Sequence, residues 1–219
     1  MKNYFSMLQQ CPLFDGIRPE DLPGMIGCLG ARKVDIKKGQ SILREGDTTI
    51  YIGIVLTGAI QVVREDFYGN RSVVARIGAM QLFGEGYAFS EAQTLPVSIV
   101  PNEDGAVLLL DSRRITHCCS NACEFHSRMI FNLLRLVANK NLLLHQKIDI
   151  TSKRTTREKL MAYLMHQAKL HNSNTFTIPF DRQSLADYLE VDRSGLSSEI
   201  GKLRKEGVLE CEKGQFCLL

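Results

Sequence analysis

The chain has 219 residues, a formal net charge of +3, 44% hydrophobic residues, seven cysteines and no tryptophan. That composition excludes a disordered or collagen-like chain, and no apolar run approaches the ~20 residues of a membrane span. The opening MKNYFSMLQQ lacks the apolar stretch of a signal peptide, so a cytoplasmic protein with no membrane partner is expected, in a reducing compartment where cysteines remain thiols or metal ligands. Residues 1–125 carry 12 basic and 14 acidic side chains, 126–149 carry 4 and 1, and 150–219 carry 11 and 9. A basic second half fits nucleic-acid contact at the C-terminal end, although ordinary solubility produces a difference of the same size.

Residues 13–110 read as short apolar segments broken by glycines. IYIGIVLTG (50–58), AIQVVRE (59–65), SVVARIG (72–78) and AVLLLD (106–111) are rich in Val, Ile and Leu between turn residues, which predicts antiparallel strands of a sandwich or barrel. From Glu124 to Asp149 there is neither Gly nor Pro, and strong helix formers predict one long helix. On it Ile130, Leu134, Val137, Asn141, Leu144 and Ile148 recur in steps of four and three, the spacing of a two-stranded seam in which Asn141 fixes register. A second stripe, Met129, Leu133, Leu136 and Leu143, would pack on the helix's own domain; the alternative is a single buried helix in a monomer, with Asn141 facing solvent. Thr155 and Glu158 have the spacing of a capping box opening a further helix with Leu160, Tyr163, Leu164 and Ala168 on one face.

FTIPF (176–180) predicts a brief strand, Asp181 a cap for a helix over 182–189, and Asp192 a cap for another from Arg193 to about Glu206. Two short helices separated by Glu190–Asp192 make a helix-turn-helix, and VLECEKGQFCLL around Lys213-Gly214 makes a β-hairpin wing. A recognition helix must be short, held from behind by a small apolar core, and polar at the N-terminal end that reaches base edges. Leu185, Ala186, Leu189, Val191, Leu196, Ile200 and Leu203 supply that core and leave Arg193, Ser194, Ser197 and Ser198 outward, with Lys202, Arg204 and Lys205 behind them.

The whole chain resembles the Crp/Fnr family of bacterial transcription regulators, through CPLFDGIRPEDL (11–22), EGD (45–47), LTGAIQVV (56–63), FGE (83–85) and DRQSLADYLEVDRSGLSSEI (181–200). The resemblance implies an α+β chain: an N-terminal β-roll (jelly roll) effector domain over 1–123, a dimerisation helix over 124–149, and a C-terminal winged helix-turn-helix over 150–219. It implies a homodimer on double-stranded DNA with an inverted-repeat operator, RNA polymerase as a partner, and a small-molecule effector. The candidate DNA contacts are Arg182, Gln183, Arg193, Ser194, Ser197, Ser198 and Lys202.

Departures from the family pattern point away from a cyclic nucleotide. Gly84 and Glu85 match the start of a phosphate cassette, but the Arg-Ser pair that grips the cyclic phosphate in nucleotide-binding relatives falls here on Pro96-Val97, which removes a charge-assisted contact. Leu142 and Leu143 stand where such relatives place polar groups on the long helix, so the effector pocket around Gly84, Glu85, Leu142 and Leu143 is expected not to take cyclic AMP. Ser194 and Ser198 occupy positions where the family commonly has a base-reading Glu and Arg, while Ser197 matches the Fnr-like branch, so the operator should differ from both familiar sites. Iron–sulfur members use a cysteine triplet near the N-terminus, whereas this chain has Cys11 alone there. An alternative Fnr-like redox or metal sensor would use Cys11 with Cys118, Cys119 and Cys123, flanked by His117 and His126; the reading preferred is no metal and no cofactor, with Cys28, Cys211 and Cys217 as core residues. A cupin-like metalloenzyme would need histidines on the strands, yet His117, His126, His145, His166 and His171 all lie outside them, so no enzyme is expected.

Overall fold

The computed structural model describes residues 4–65, 67–68, 71–91, 94–116, 124–212 and 214–219. Contacts divide the chain into two compact units, residues 1–139 and 140–219. The first begins with α1 (Phe5–Leu8), a 3-10 turn (Pro12–Phe14) and α2 (Leu22–Cys28). There follow β1 (Arg32–Ile36), β2 (Tyr51–Thr57), β3 (Ile60–Glu65), β4 (Arg71–Ile77), β5 (Leu82–Phe83), α3 (Glu85–Ala88), β6 (Ser98–Pro101), β7 (Gly105–Asp111) and α4 (Ser112–Thr116). The helix α5 (Glu124–Thr151) runs from this unit into the second.

Two antiparallel sheets, in the orders β1-β7-β2-β5 and β4-β3-β6, enclose Ile36, Val55, Ile60, Phe83, Ile99 and Val107. The other face of the larger sheet offers Ile52, Ile54 and Leu56 from β2 and Ala106, Leu108 and Leu110 from β7 to a second core. That core contains Leu13, Phe14 and Leu22 from the N-terminal segment and Met129 and Leu133 from α5. Strands β2 and β7 are therefore apolar on both faces, which is why each reads as a continuous run rather than an alternation. Gly53 in β2 is demanded by this packing, since a Cβ there would stand 2.0 Å from the Phe83 ring. Asn132, 2% exposed, ties α5 to the N-terminal segment by donating to the carbonyls of Leu13 (3.1 Å) and Asp15 (2.8 Å).

The second unit comprises the end of α5, α6 (Thr156–His171), β8 (Thr175–Thr177), α7 (Arg182–Leu189), α8 (Arg193–Lys205), β9 (Leu209–Glu212) and β10 (Gln215–Leu218). The capping box is formed in full: Thr155 Oγ1 accepts from the Glu158 amide and the Glu158 carboxylate accepts from the Thr155 amide. Those bonds hold the Glu158 carboxyl below its ordinary pKa. Leu160, Leu164, Leu185, Leu196, Leu203 and Phe216 lie in one core closed by the sheet β8-β10-β9.

Several expectations need correction. The strand read over 176–180 is Thr175–Thr177, because Pro179 carries no amide to continue the ladder. Asp192 takes the N-cap position of α8, yet its side chain makes no capping hydrogen bond. Cys28 is exposed rather than buried, and Cys211 and Cys217 are half-buried on the small sheet. Leu143, grouped with the core-facing stripe, is 63% exposed. The sequence reading does not reach α1, α2, β1, β5, α3, β6 or α4. His117, Cys118, Cys119 and Cys123 lie outside the described residues.

Candidate nucleic-acid interface

Helices α7 and α8 meet across a turn in which Glu190 adopts the left-handed conformation (φ 54°). Asp181 starts α7 by accepting from the Ser184 amide at 2.7 Å, and hydrogen bonds from Ser184 hold its carboxyl below the ordinary range. Leu185, Ala186 and Leu189 of α7 are sealed against Leu196, Ile200 and Leu203 of α8, all at most 4% exposed. At 100° per residue this anchors the opposite face of α8 outward. Ser194 and Ser198 lie on that face, Ser197 at its flank and Arg193 at the first helical position; all four are exposed and their side chains make no hydrogen bond or ion pair among the described residues, although the Arg193 charge helps to hold the Asp181 carboxyl low. A guanidinium and three hydroxyls in the first two turns can donate to and accept from base edges.

The remaining candidates are engaged within the unit. Arg182 Nη2 lies 2.7 Å from Cys211 Sγ with its guanidinium 5.4 Å from the Phe216 ring, and Gln183 Nε2 donates to Asp187 at 2.8 Å. Lys202 Nζ is 3.2 Å from Glu199, whose carboxylate is also 3.7 Å from Arg157 Nη1 on α6. Arg157 further pairs with Glu206 just past α8, holding that carboxyl below its ordinary pKa. This bracing of the recognition helix from α6 had no sequence signal, because Arg157 and Glu206 are 49 positions apart. Arg204 and Lys205 are exposed beside the C-terminal turn of α8, where the helix dipole favours cations.

Along α5, the proposed seam is open in the single chain: Leu134 is 66% exposed, Val137 41%, Leu144 60% and Ile148 63%, with Asn141 also exposed and Ile130 half-buried. Met129 and Leu133, on the adjoining face, are buried in the first unit's core. Such a row of large apolar side chains is unusual on a solvated helix.

In the first unit, Gly84 has φ +79° and sits at the N-cap of α3, where a Cβ would approach the Tyr51 carbonyl to 3.3 Å. Glu85 is half-buried, Pro96 exposed and Val97 1% exposed. Neither Pro96 nor Val97 carries a charge that could pair with a phosphate. Leu142 and Leu143, in the second unit, are exposed. Cys11 is 1% exposed, and burial pushes its thiol up to about 11, which disfavours the thiolate a metal needs. The exposed Cys28 places Sγ 4.0 Å from Nε2 of the buried His126, beside a cavity of about 270 Å³ that Glu20, Met25 and Phe125 also line. Among the described residues no group of three or more His, Cys, Asp or Glu could hold a metal ion, and no helix is long and apolar enough to cross a membrane.

Residues 33–122 match the cyclic nucleotide-binding domain family, and residues 158–219 match the Crp-like helix-turn-helix domain family. Among curated proteins, the chain is 21% identical over 189 residues to the transcriptional activator protein FnrA of Stutzerimonas stutzeri, covering 84% of this chain and 75% of that one. It is 24% identical over 189 residues to the transcriptional activator protein FnrL of Cereibacter sphaeroides, covering 80% and 71%. Among solved structures, the catabolite activator protein of Thermus thermophilus has the same fold, with a TM-score of 0.55, 22% identity and coverage of 95% and 93%.

Proposed function

Because the chain belongs to the Crp/Fnr family of DNA-binding transcription regulators, we propose that it acts as a homodimer reading an inverted-repeat operator under the control of a small effector other than cyclic AMP. The observation that carries this reading is the N-terminal end of α8, where Arg193, Ser194, Ser197 and Ser198 stand exposed, with side chains that make no hydrogen bond or ion pair among the described residues, on a helix buried along one side. Arg193 and Ser197 read bases, with Ser194 and Ser198 beside them. Lys202 serves the phosphate backbone, a role that requires it to leave or share Glu199. Arg182 and Gln183, already engaged within the unit, position the start of α7 more than they read sequence.

In this reading residues 1–123 form the effector domain, 124–149 the dimerisation helix and 150–219 the DNA-binding domain. The seam Ile130, Leu134, Val137, Asn141, Leu144 and Ile148 pairs two copies, supported by the exposure of its leucines and Ile148 in the single chain. The effector contacts Gly84 and Glu85 in the first unit, and RNA polymerase is the partner at the promoter. Cytoplasmic location follows from that role. Selection of bound DNA from random duplexes tests the proposal: a recovered two-fold symmetric sequence supports it, and recovery of no preferred sequence contradicts it.

A further inference from the structure

We infer that Gly195 and Gly201 are the places where α8 comes closest to DNA, so that this helix enters the major groove thinner than an ordinary recognition helix and reads bases with short side chains. The inference rests on the proposal that α8 is the helix in the groove, and deepens it. Glycine is the poorest helix former after proline, because it loses the most backbone freedom on folding, yet α8 holds two glycines within its 13 residues. The backbone does not require them, since neither is among the glycines with positive φ. Packing does not require them either: a Cβ at Gly201 would meet no atom within 4 Å, and one at Gly195 only Asp192 Cβ at 3.8 Å, an ordinary contact. Gly53, by contrast, is filled by the Phe83 ring. Within the chain, alanine would serve both positions of α8 better.

Gly195 is exposed and Gly201 half-buried, and neither lies on the buried side of α8. Ser194, Ser198, Gly201 and Lys205 recur at i, i+4, i+7 and i+11, opposite the buried Leu196, Ile200 and Leu203, and Gly195 flanks that line. A helix with its side chains is about 10–12 Å across and the major groove about 12 Å wide, so each outward Cβ holds the helix axis away from the groove floor. A serine hydroxyl stands one carbon from the backbone. It meets a base edge at about 2.7–3.0 Å only when the backbone itself is close. The hydroxyls of Ser194, Ser197 and Ser198 make no hydrogen bond among the described residues, so they are free to do this. Short readers and missing Cβ atoms thus answer one geometric need, and the glycines become determinants of affinity although they contribute no side chain.

The experiment replaces Gly195→Ala and Gly201→Ala separately in the full chain and measures two quantities for each. The first is the thermal unfolding midpoint without DNA; the second is affinity for the duplex that the parent chain recovers from random sequence. Both variants should unfold at an equal or higher temperature, by up to about 4 °C. Both should bind the recovered duplex at least tenfold more weakly, about 1.4 kcal/mol. Gly27→Ala in α2, where a Cβ also meets nothing within 4 Å, should leave affinity unchanged. Parental affinity in both α8 variants would overturn the close approach while leaving α8 in the groove, provided Arg193→Ala still loses binding. A lower unfolding temperature in either variant would assign its glycine to the fold and overturn the inference there. Indifference of binding to Arg193→Ala as well would remove α8 from the groove and the inference with it.

Discussion

Leu134→Asp is the sharpest perturbation of the proposed dimer, because this side chain is 66% exposed in the single chain and takes no part in the buried core of its own unit. Full burial of a leucine is worth about 2.5 kcal/mol, so covering the exposed two thirds stabilises a dimer by about 1.6 kcal/mol per copy and about 3 kcal/mol in total. Losing that term raises the dimer dissociation constant by about a hundredfold. The variant also brings two carboxylates together in an apolar seam, where desolvation opposes them and adds to the loss. Sedimentation velocity at micromolar concentration should therefore report a monomer where the parent is a dimer. Circular dichroism should retain the helical signal, since Met129 and Leu133 still hold α5 to its core. An unchanged sedimenting mass would refute the assignment of this seam.

Arg193→Ala should weaken the recovered operator by about 1–3 kcal/mol and relax preference at one position, with little effect on unrelated duplexes; equal losses on both would make Arg193 a phosphate contact. The Glu158 carboxyl has an ordinary pKa of 4.5 and is held lower in the fold by the Thr155 and Arg154 amides, so its contribution is present above that value and fades as the pH falls through the lowered one. Thermal unfolding followed from about pH 6 to pH 3 should therefore show a loss below about pH 4.5 that is smaller in Glu158→Gln; identical profiles would deny the capping bonds that role. Calorimetry with cyclic AMP should show no micromolar binding, because Pro96-Val97 offers no cation to the phosphate, and a micromolar isotherm would overturn that reading of the pocket.

The second unit was the more legible half because its signals are local. Thr155 with Glu158, Asp181 before its helix, and the apolar spacing of Leu185, Leu189, Leu196 and Leu203 each lie within a few residues of what they stabilise. The first unit was legible only where strands were long. Leu82–Phe83 and Ser98–Pro101 are too short to show a period, and their position is set by partners far along the chain, such as Gly53 opposite Phe83 and Val62 opposite Ile99. The apolar character of Cys28 does not fix its burial, because it ends α2 on the side open to solvent. At the candidate interface the outward residues of α8 followed from helical spacing, but Arg182 beside Cys211 and Arg157 beside Glu206 depend on tertiary placement that no spacing encodes.

The central claim is that two copies of α8, related by two-fold symmetry, read two half-sites together. Its most direct test is to titrate the chain against the recovered operator and against the same operator with about five base pairs, half a helical turn, inserted at its centre. Rotating one half-site to the far side of the duplex leaves a single engaged helix, and losing the second intramolecular contact should weaken binding by about a hundredfold or more. Equal affinity for the two duplexes would contradict the account.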